Sequence, residues 1–265
     1  MTVGGGLFLF AASVLAGAVN AVAGGGSLLS FPAAMAVGLS SIVANATNAA
    51  ALMPGSLASA WIYRRHLVGL GRLTALLSVP AVAGALAGAA ILRHTSERVF
   101  DAIVPVLVAG ATALILAHGL VTRLLRPAHG GDAKAGSARG WLVAALVFQA
   151  LVSVYGGYFG AAMGIIMLAY LGILGATGRF GLDSVHQMNG VKNVLAVIIN
   201  GTAALDFMLH GLVEPQAALV MAVGGVAGGI AGARLARRTD PRRVRRLIVA
   251  IGFSMAAWLA YRRYV

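Results

Sequence analysis

Residues 7–38 carry the sequence LFLFAASVLAGAVNAVAGGGSLLSFPAAMAVG, an apolar run of more than thirty residues without a charged side chain. A straight helix of this length would be about 48 Å long, against about 30 Å of bilayer hydrocarbon. Two complete crossings would need about 40 residues. Because Gly24-Gly25-Gly26-Ser27 interrupts the run near its middle, we predict a helix, a break and a second helix.

A second long apolar stretch, residues 141–174, has the same character and is interrupted from Gly156-Gly157 to Gly160. We predict a second helix–break–helix unit there. Lipid offers no water to a backbone that is not hydrogen-bonded internally, so the remaining apolar stretches are expected to be helices as well. They cover residues 42–62, 73–92, 99–121, 187–209, 216–236 and 246–261.

The composition is that of an all-α integral membrane protein. Of the 265 residues, 60% are hydrophobic and only 10% charged, whereas a soluble domain carries about 25% charged residues. This excludes a water-soluble globule and a disordered chain. The absence of cysteine excludes a disulfide scaffold and thiolate chemistry. No Lys or Arg precedes Leu7, so we expect the first apolar run to belong to the mature protein.

The basic residues indicate the topology. A net charge of +13 could suggest a nucleic-acid partner, but the Lys and Arg side chains lie in short gaps between apolar stretches, so we expect no nucleic acid. If the stretch 141–174 returns to its starting side, 15 of the 20 Lys and Arg fall on one face. If it crosses once, the split is nearly even. Because cytoplasmic loops are rich in Lys and Arg, we predict a returning hairpin, with the polar linker 126–140 and the Arg-rich segment 234–246 in the cytoplasm.

The two halves of the chain resemble each other. Residues 1–125 and 141–265 each open with a glycine-broken stretch and continue with an Asn-bearing segment and two plainer spans. We predict two inverted repeats, each with a broken hairpin and three further transmembrane helices, joined by the linker 126–140. The distribution of Lys and Arg does not show whether residues 7–38 cross the membrane once or return to the starting side. Paired broken helices in inverted repeats are typical of secondary transporters, with the substrate site between the repeats.

The glycine runs are candidate anion sites. A helix that begins at Gly24, Gly25, Gly26 and Ser27 presents unpaired N–H groups and a positive dipole end. In the second half the corresponding candidates are Tyr155, Gly160 and Met163. The alternatives are close helix packing at the glycines and a packed or interfacial ring for the tyrosine.

Polar side chains in the two Asn-bearing segments are further candidates. Thr47 and Asn48 lie early in one apolar segment, and Asn189 and Asn193, four residues apart, share a face of another. Such groups often only hold membrane helices together. Their matching places in the two halves favour a shared binding site.

Lys192 is the only cation inside an apolar stretch and away from the ends of that stretch. Such a charge is a candidate for substrate attraction, although it could instead snorkel to the interface or pair with Asp183 or Asp206. His186 and Asp206 are candidates for proton coupling, with boundary residues as the alternative. The other histidines are scattered without ligand spacing, so we expect no metal site and no cofactor.

These features resemble the TauE/SafE family of sulfite exporters. In the first half the resemblance rests on GGGSLLSFP at residues 24–32, ANATN at 44–48 and PGS at 54–56. In the second half it rests on GGYFGAAMG at 156–164 and NGVKN at 189–193. It implies a bacterial cytoplasmic-membrane permease for small sulfur oxyanions or organosulfonates. The family's glycine run is replaced by Ala161-Ala162-Met163, which leaves the identity of the anion open.

The resulting hypothesis is a secondary transporter, not an enzyme, that exports a small sulfur-containing anion. The expected partners are that anion, the lipid bilayer and a second copy of the chain. No Gly-x-x-x-x-Gly-Lys-Ser/Thr motif is present to bind ATP. The alternatives are an anion channel, a membrane assembly subunit, and an intramembrane hydrolase with Ser27 as its nucleophile.

Overall fold

The computed structural model describes residues 2–22, 25–124, 137–235 and 241–264. Within these ranges the chain forms ten α-helices, a short 3-10 helix at Arg64–Leu67 and no β-strand, which confirms the all-α prediction. The α-helices are α1 Val3–Val22, α2 Ser27–Ala36, α3 Ser41–Tyr63, α4 Gly71–His94, α5 Glu97–Leu124, α6 Ala138–Tyr158, α7 Met163–Ala176, α8 Val185–Leu209, α9 Pro215–Leu235 and α10 Pro241–Tyr264.

Helix lengths separate full spans from partial ones. In the described ranges, α1, α4, α5, α6, α8 and α9 contain six segments that are long and apolar enough to cross a bilayer. By contrast, α2 has 10 residues and α7 has 14. At 1.5 Å per residue they extend about 15 and 21 Å, which is less than the hydrocarbon thickness of about 30 Å. The chain is therefore a multi-pass membrane protein with two partial helices.

The first long stretch divides as predicted into a long helix, α1, and a short helix, α2. The chain turns back at the break, because a Cβ on Gly26 would lie 2.2 Å from the carbonyl oxygen of Ala16 and 3.0 Å from Cβ of Asn20. Only a residue without a side chain allows the start of α2 to approach α1 this closely.

The second long stretch also divides in two, but the break lies further along the chain than the sequence predicts. Gly156 and Gly157 lie inside α6 and pack against other helices, since a Cβ on Gly157 would lie 2.3 Å from the carbonyl oxygen of Ala85. The break covers residues 159–162, where Gly160 has φ +73° and Ala162 has φ +61°. These left-handed conformations turn the chain from α6 into α7.

The helices of the two halves pack in a reciprocal pattern. Helix α1 packs on α9 as α6 packs on α4, and α5 packs on α10. Helices α3 and α8 pack on each other in antiparallel directions. At one end the Tyr63 ring stacks on His186, with 6.1 Å between centroids. At the other, the Thr47 hydroxyl accepts a hydrogen bond of 3.0 Å from the Glu214 amide, beyond the end of α8.

Most of one predicted cytoplasmic segment and part of the other lie outside the described residues. Residues 125–136, most of the linker, and residues 236–240 of the Arg-rich segment lie outside the described residues. Their location in the cytoplasm stays a prediction.

Candidate functional site

The first break places a helix start inside the protein. Gly24 lies outside the described residues, while Gly25 and Gly26 are buried and Ser27, the first residue of α2, is half-buried. The Gly25 carbonyl accepts from the Leu28 amide at 3.2 Å, and the Gly26 carbonyl accepts from the Leu29 amide at 2.9 Å. The first amides of a helix have no partner within it, so this break orients N–H groups and a positive dipole end into the protein interior.

Lys192 lies at this same break. Its side chain is 1% exposed, and its Nζ donates hydrogen bonds to the carbonyl oxygens of Asn20, at 2.8 Å, and Ala21, at 3.4 Å. Both carbonyls belong to the last turn of α1, where the helix dipole is negative. Lys192 therefore neither snorkels to a surface nor pairs with Asp183 or Asp206. It brings a cation from the second half of the chain to the helix break of the first half.

The second break is closed by its own residues. The Tyr155 hydroxyl donates to the Ala161 carbonyl at 2.6 Å, and the amides of Phe159 and Gly160 both donate to the Tyr155 carbonyl. Met163 begins α7, and its sulfur faces Gly156. The Tyr155 hydroxyl thus stabilises the turn between α6 and α7, which is a structural contact that the sequence did not indicate.

Asn45 makes a contact with the other half of the chain that is comparable to the contact made by Lys192. Its Nδ2 donates to the carbonyl oxygen of Tyr158, the last residue of α6, at 2.9 Å. A polar side chain of α3 therefore caps the broken helix of the second half, as Lys192 of α8 caps that of the first. The sequence places Asn45 on one face with Asn48 but carries no sign of a partner 113 residues away.

Asn48 of α3 is paired through its side chain, whereas Asn189 and Asn193 of α8 have amide atoms without a partner in the described residues. Asn48 accepts a hydrogen bond from the buried Ser30 hydroxyl. On α8, Asn189 donates to the Val185 carbonyl at 3.1 Å, but its Oδ1 has no partner within the described residues. Asn193 is 1% exposed, and neither atom of its amide has a partner there. Buried polar groups are seldom left unpaired in proteins, so these amides mark a position suited to a polar ligand.

The two predicted proton-coupling residues lie at opposite ends of α8. Asp206 lies 2.9 Å from Nε of Arg93, and the neighbouring His210 contacts both residues. Its carboxylate is thus in an ion pair between α4 and α8. His186 is half-buried and stacks on His66, with ring centroids 5.2 Å apart. No pattern in the sequence connects these two histidines.

Two cavities of the structure are not lined by the predicted site residues. One, of about 380 Å³, lies between α5, α6 and α7 and has an apolar lining that includes Trp141 and Tyr170. The other, of about 310 Å³, lies near Ser40, Ser41 and Glu97. Lys192, Gly25 and Gly26 are buried in this arrangement and line neither of these two cavities.

Comparison with known proteins extends over nearly the whole chain. A family model described as "Sulfite exporter TauE/SafE" matches residues 9–259. The chain is similar to "Probable membrane transporter protein YfcA" of Escherichia coli strain K12, with 31% identity over 96% of this chain and 88% of that protein. It is also similar to a "Probable membrane transporter protein" of Haemophilus influenzae, with 27% identity over 96% of this chain and 93% of that protein. No solved structure matches the chain.

Proposed function

Because the chain belongs to the TauE/SafE sulfite exporter family, we propose that it is a secondary transporter that exports sulfite, thiosulfate or an organosulfonate across the cytoplasmic membrane. Family membership and the membrane-spanning helices make it a multi-pass membrane transporter. The sulfur-containing anion and the outward direction are the proposal.

The observation that carries this proposal is the buried Lys192 ammonium at the break between α1 and α2. The positive end of α2 begins a few residues beyond the carbonyls that Lys192 contacts. A cation and a helix N-terminus both favour an anion, and their effect is strong where water is excluded. Asn193, the next residue on α8, adds an amide that has no partner in the described ranges.

Alternating access follows from two inverted repeats, residues 1–125 and 141–265, joined by the linker 126–140. The antiparallel packing of α3 on α8 supports this arrangement, because these helices occupy equivalent places in the two halves. Each of them caps the broken helix of the other half, through Asn45 and Lys192. A rocking motion of one repeat against the other would therefore change both breaks together.

Flux measurements in proteoliposomes test this function. We expect uptake of radiolabelled sulfite that saturates with concentration and exchanges with unlabelled sulfite on the other side. Flux that rises without saturation and shows no exchange would indicate a channel instead. A second measurement identifies the substrate. The melting temperature of the purified protein is recorded with sulfite, thiosulfate, sulfoacetate, taurine and sulfate in turn, because a ligand that binds the folded state raises the melting temperature.

We expect Asn193→Leu to raise the melting temperature and to lower the sulfite flux. A buried polar group without a partner costs about 1–3 kcal/mol, and leucine of similar size removes that cost together with the groups available to the anion. Thermal unfolding in detergent and proteoliposome flux measure the two effects.

The matched control is Asn48→Leu, which removes a hydrogen-bonded amide from the equivalent place on α3. It is expected to lower the melting temperature, because it takes the Asn48 acceptor away from the buried Ser30 hydroxyl. An Asn193→Leu variant that is more stable and transports normally would exclude Asn193 from the site.

A further inference from the structure

Three aromatic rings join the two halves of the chain at one end of the α3–α8 pair. His66, in the short 3-10 helix after α3, stacks on His186, in the first turn of α8, with 5.2 Å between centroids and 29° between ring planes. Tyr63, the last residue of α3, lies 6.1 Å from His186 and 6.3 Å from His66. Each half thus contributes one imidazole to a single stack.

The basic residues place this ring cluster, Tyr63, His66 and His186, at the predicted cytoplasmic mouth. It lies between the gaps 64–72 and 175–186, both on the Lys/Arg-rich face. The charged groups on the surrounding elements are Arg64, Arg65, Arg72, Arg179, Asp183, Lys192 and, on α9 beside Tyr63, Arg234. Six of these seven are cations, so the surroundings of the stack offer little compensation for a second positive ring.

Imidazole is the side chain that changes its charge in the physiological pH range. Two neutral rings, or one neutral and one charged ring, can stack at 5.2 Å. Two charged rings repel each other at this distance. Since His66 and His186 belong to different halves, protonation of both acts directly to separate the halves at this mouth.

A polar face of α8 leads inward from the ring cluster. His186, Asn189 and Asn193 are spaced by three and four residues, which places them along one side of the helix. The Asn189 Oδ1 and both amide atoms of Asn193 lack partners in the part of the chain that the structure describes. This face connects the histidine pair to the region of Lys192 through groups that can hydrogen-bond water, a proton carrier or an anion.

We propose that His66 and His186 form the proton-binding site that couples anion movement to the proton gradient, an inference that rests on the function proposed above. A proton from water on the other side reaches the stacked pair along the polar face of α8, and once both rings are charged their repulsion favours the open mouth. The proton then leaves to cytoplasmic water at this mouth, which returns the pair to its stacked state, so that protons move inward as the anion moves outward.

The test compares coupled transport with exchange in proteoliposomes, with [³⁵S]sulfite as the probe. Exchange between equal sulfite pools needs the substrate site and the opening of the mouth but no net proton movement, whereas accumulation driven by a pH gradient also needs the proton site. We expect His66→Gln and His186→Gln to keep exchange and to lose gradient-driven accumulation. The matched control is His94→Gln, at the exposed end of α4, which is expected to keep both.

The outcomes separate this inference from the proposed function. Gradient-driven accumulation that persists in both glutamine variants would overturn the proton site and leave the transporter intact. Loss of exchange in these variants would overturn it too, because the pair would then belong to substrate binding or to folding. A wild-type protein that exchanges no anion of the panel would overturn the proposed function, and this inference with it.

A cysteine pair provides an independent measurement, since the chain contains no cysteine of its own. In the double variant His66→Cys/His186→Cys, a short thiol-specific cross-linker is expected to join positions 66 and 186. Cross-linking should stop exchange, and a linker with a cleavable bond should restore it on cleavage. Exchange that continues after complete cross-linking would contradict the opening of this mouth.

Discussion

Replacing Lys192 with methionine is expected to abolish anion transport in a protein that still folds. Lys192 is the only charged side chain that is buried among those the structure describes. Its ammonium provides the positive charge at the break between α1 and α2. Methionine has a similar length but no charge, so the anion would lose its counter-ion in the membrane interior, where such a loss is costly. Sulfite flux in proteoliposomes measures the effect.

The stability of this variant is expected to change little. Hydrogen bonds to a charged group contribute about 1.5–3 kcal/mol, and the carbonyls of Asn20 and Ala21 lose such a donor. Against this, an apolar side chain avoids the desolvation cost of a buried ammonium. The melting temperature in detergent should therefore move by only a few degrees, which separates loss of transport from loss of fold.

Two further variants control this experiment. Lys192→Arg keeps the charge in a larger side chain and is expected to retain part of the flux. Arg72→Met removes an exposed cation from the first turn of α4 and is expected to leave flux unchanged. Normal transport by Lys192→Met would assign Lys192 a purely structural role as the cap of α1 and remove the main support for an anion site here.

Segment length and charge predict much of this fold because both act locally or through the bilayer. An apolar run too long for one span and too short for two must be broken, and glycine indicates roughly where. The position of the second break is the exception. Gly156 and Gly157 allow close packing on Met163 and Ala85, whereas Gly160 and Ala162 make the turn. Composition alone does not distinguish a glycine that packs from one that turns the chain.

The contacts of the candidate site could not be predicted from the sequence, because they join residues far apart along the chain. Lys192 reaches Asn20 across 172 positions, and Asn45 reaches Tyr158 across 113. Both pairings depend on how the halves dock, which no local pattern encodes. Sequence reasoning could identify Lys192 as an unusual cation and Asn193 as an unusual amide. It could not predict that Lys192 would find hydrogen-bond partners and that Asn193 would have none in the described residues.

The second large effect comes from close helix packing. The same Gly→Ala substitution is expected to change the stability of the protein in different directions at two positions. Gly228→Ala is expected to destabilise the protein severely, whereas Gly110→Ala is expected to leave it as stable or slightly more so. A Cβ on Gly228 of α9 would lie 1.9 Å from the carbonyl oxygen of Val14 in α1. Around Gly110 of α5, nothing lies within 4 Å of the corresponding position.

The physical reason is that the obstacle at Gly228 is backbone, which cannot rotate away as a side chain can. The added methyl group would also lie 2.7 and 2.9 Å from two further backbone atoms of Val14, so α1 and α9 must separate. Neighbouring contacts at Gly224 and Gly232 on the same face would loosen with it. Membrane helices associate through such small-residue faces, and overpacking costs about 1–3 kcal/mol or more. At Gly110 only the helix propensity changes, in favour of alanine by about 1 kcal/mol.

Melting temperatures of both variants in one detergent, together with the fraction that elutes as a single species, measure this difference. A large decrease is expected for Gly228→Ala alone, and transport should fall by more than the loss of folded protein. Since α1 also supplies the carbonyls that hold Lys192, a small separation of α1 from α9 should disturb the anion site before the protein unfolds. Equal melting temperatures for the two variants would contradict the close approach of α1 and α9.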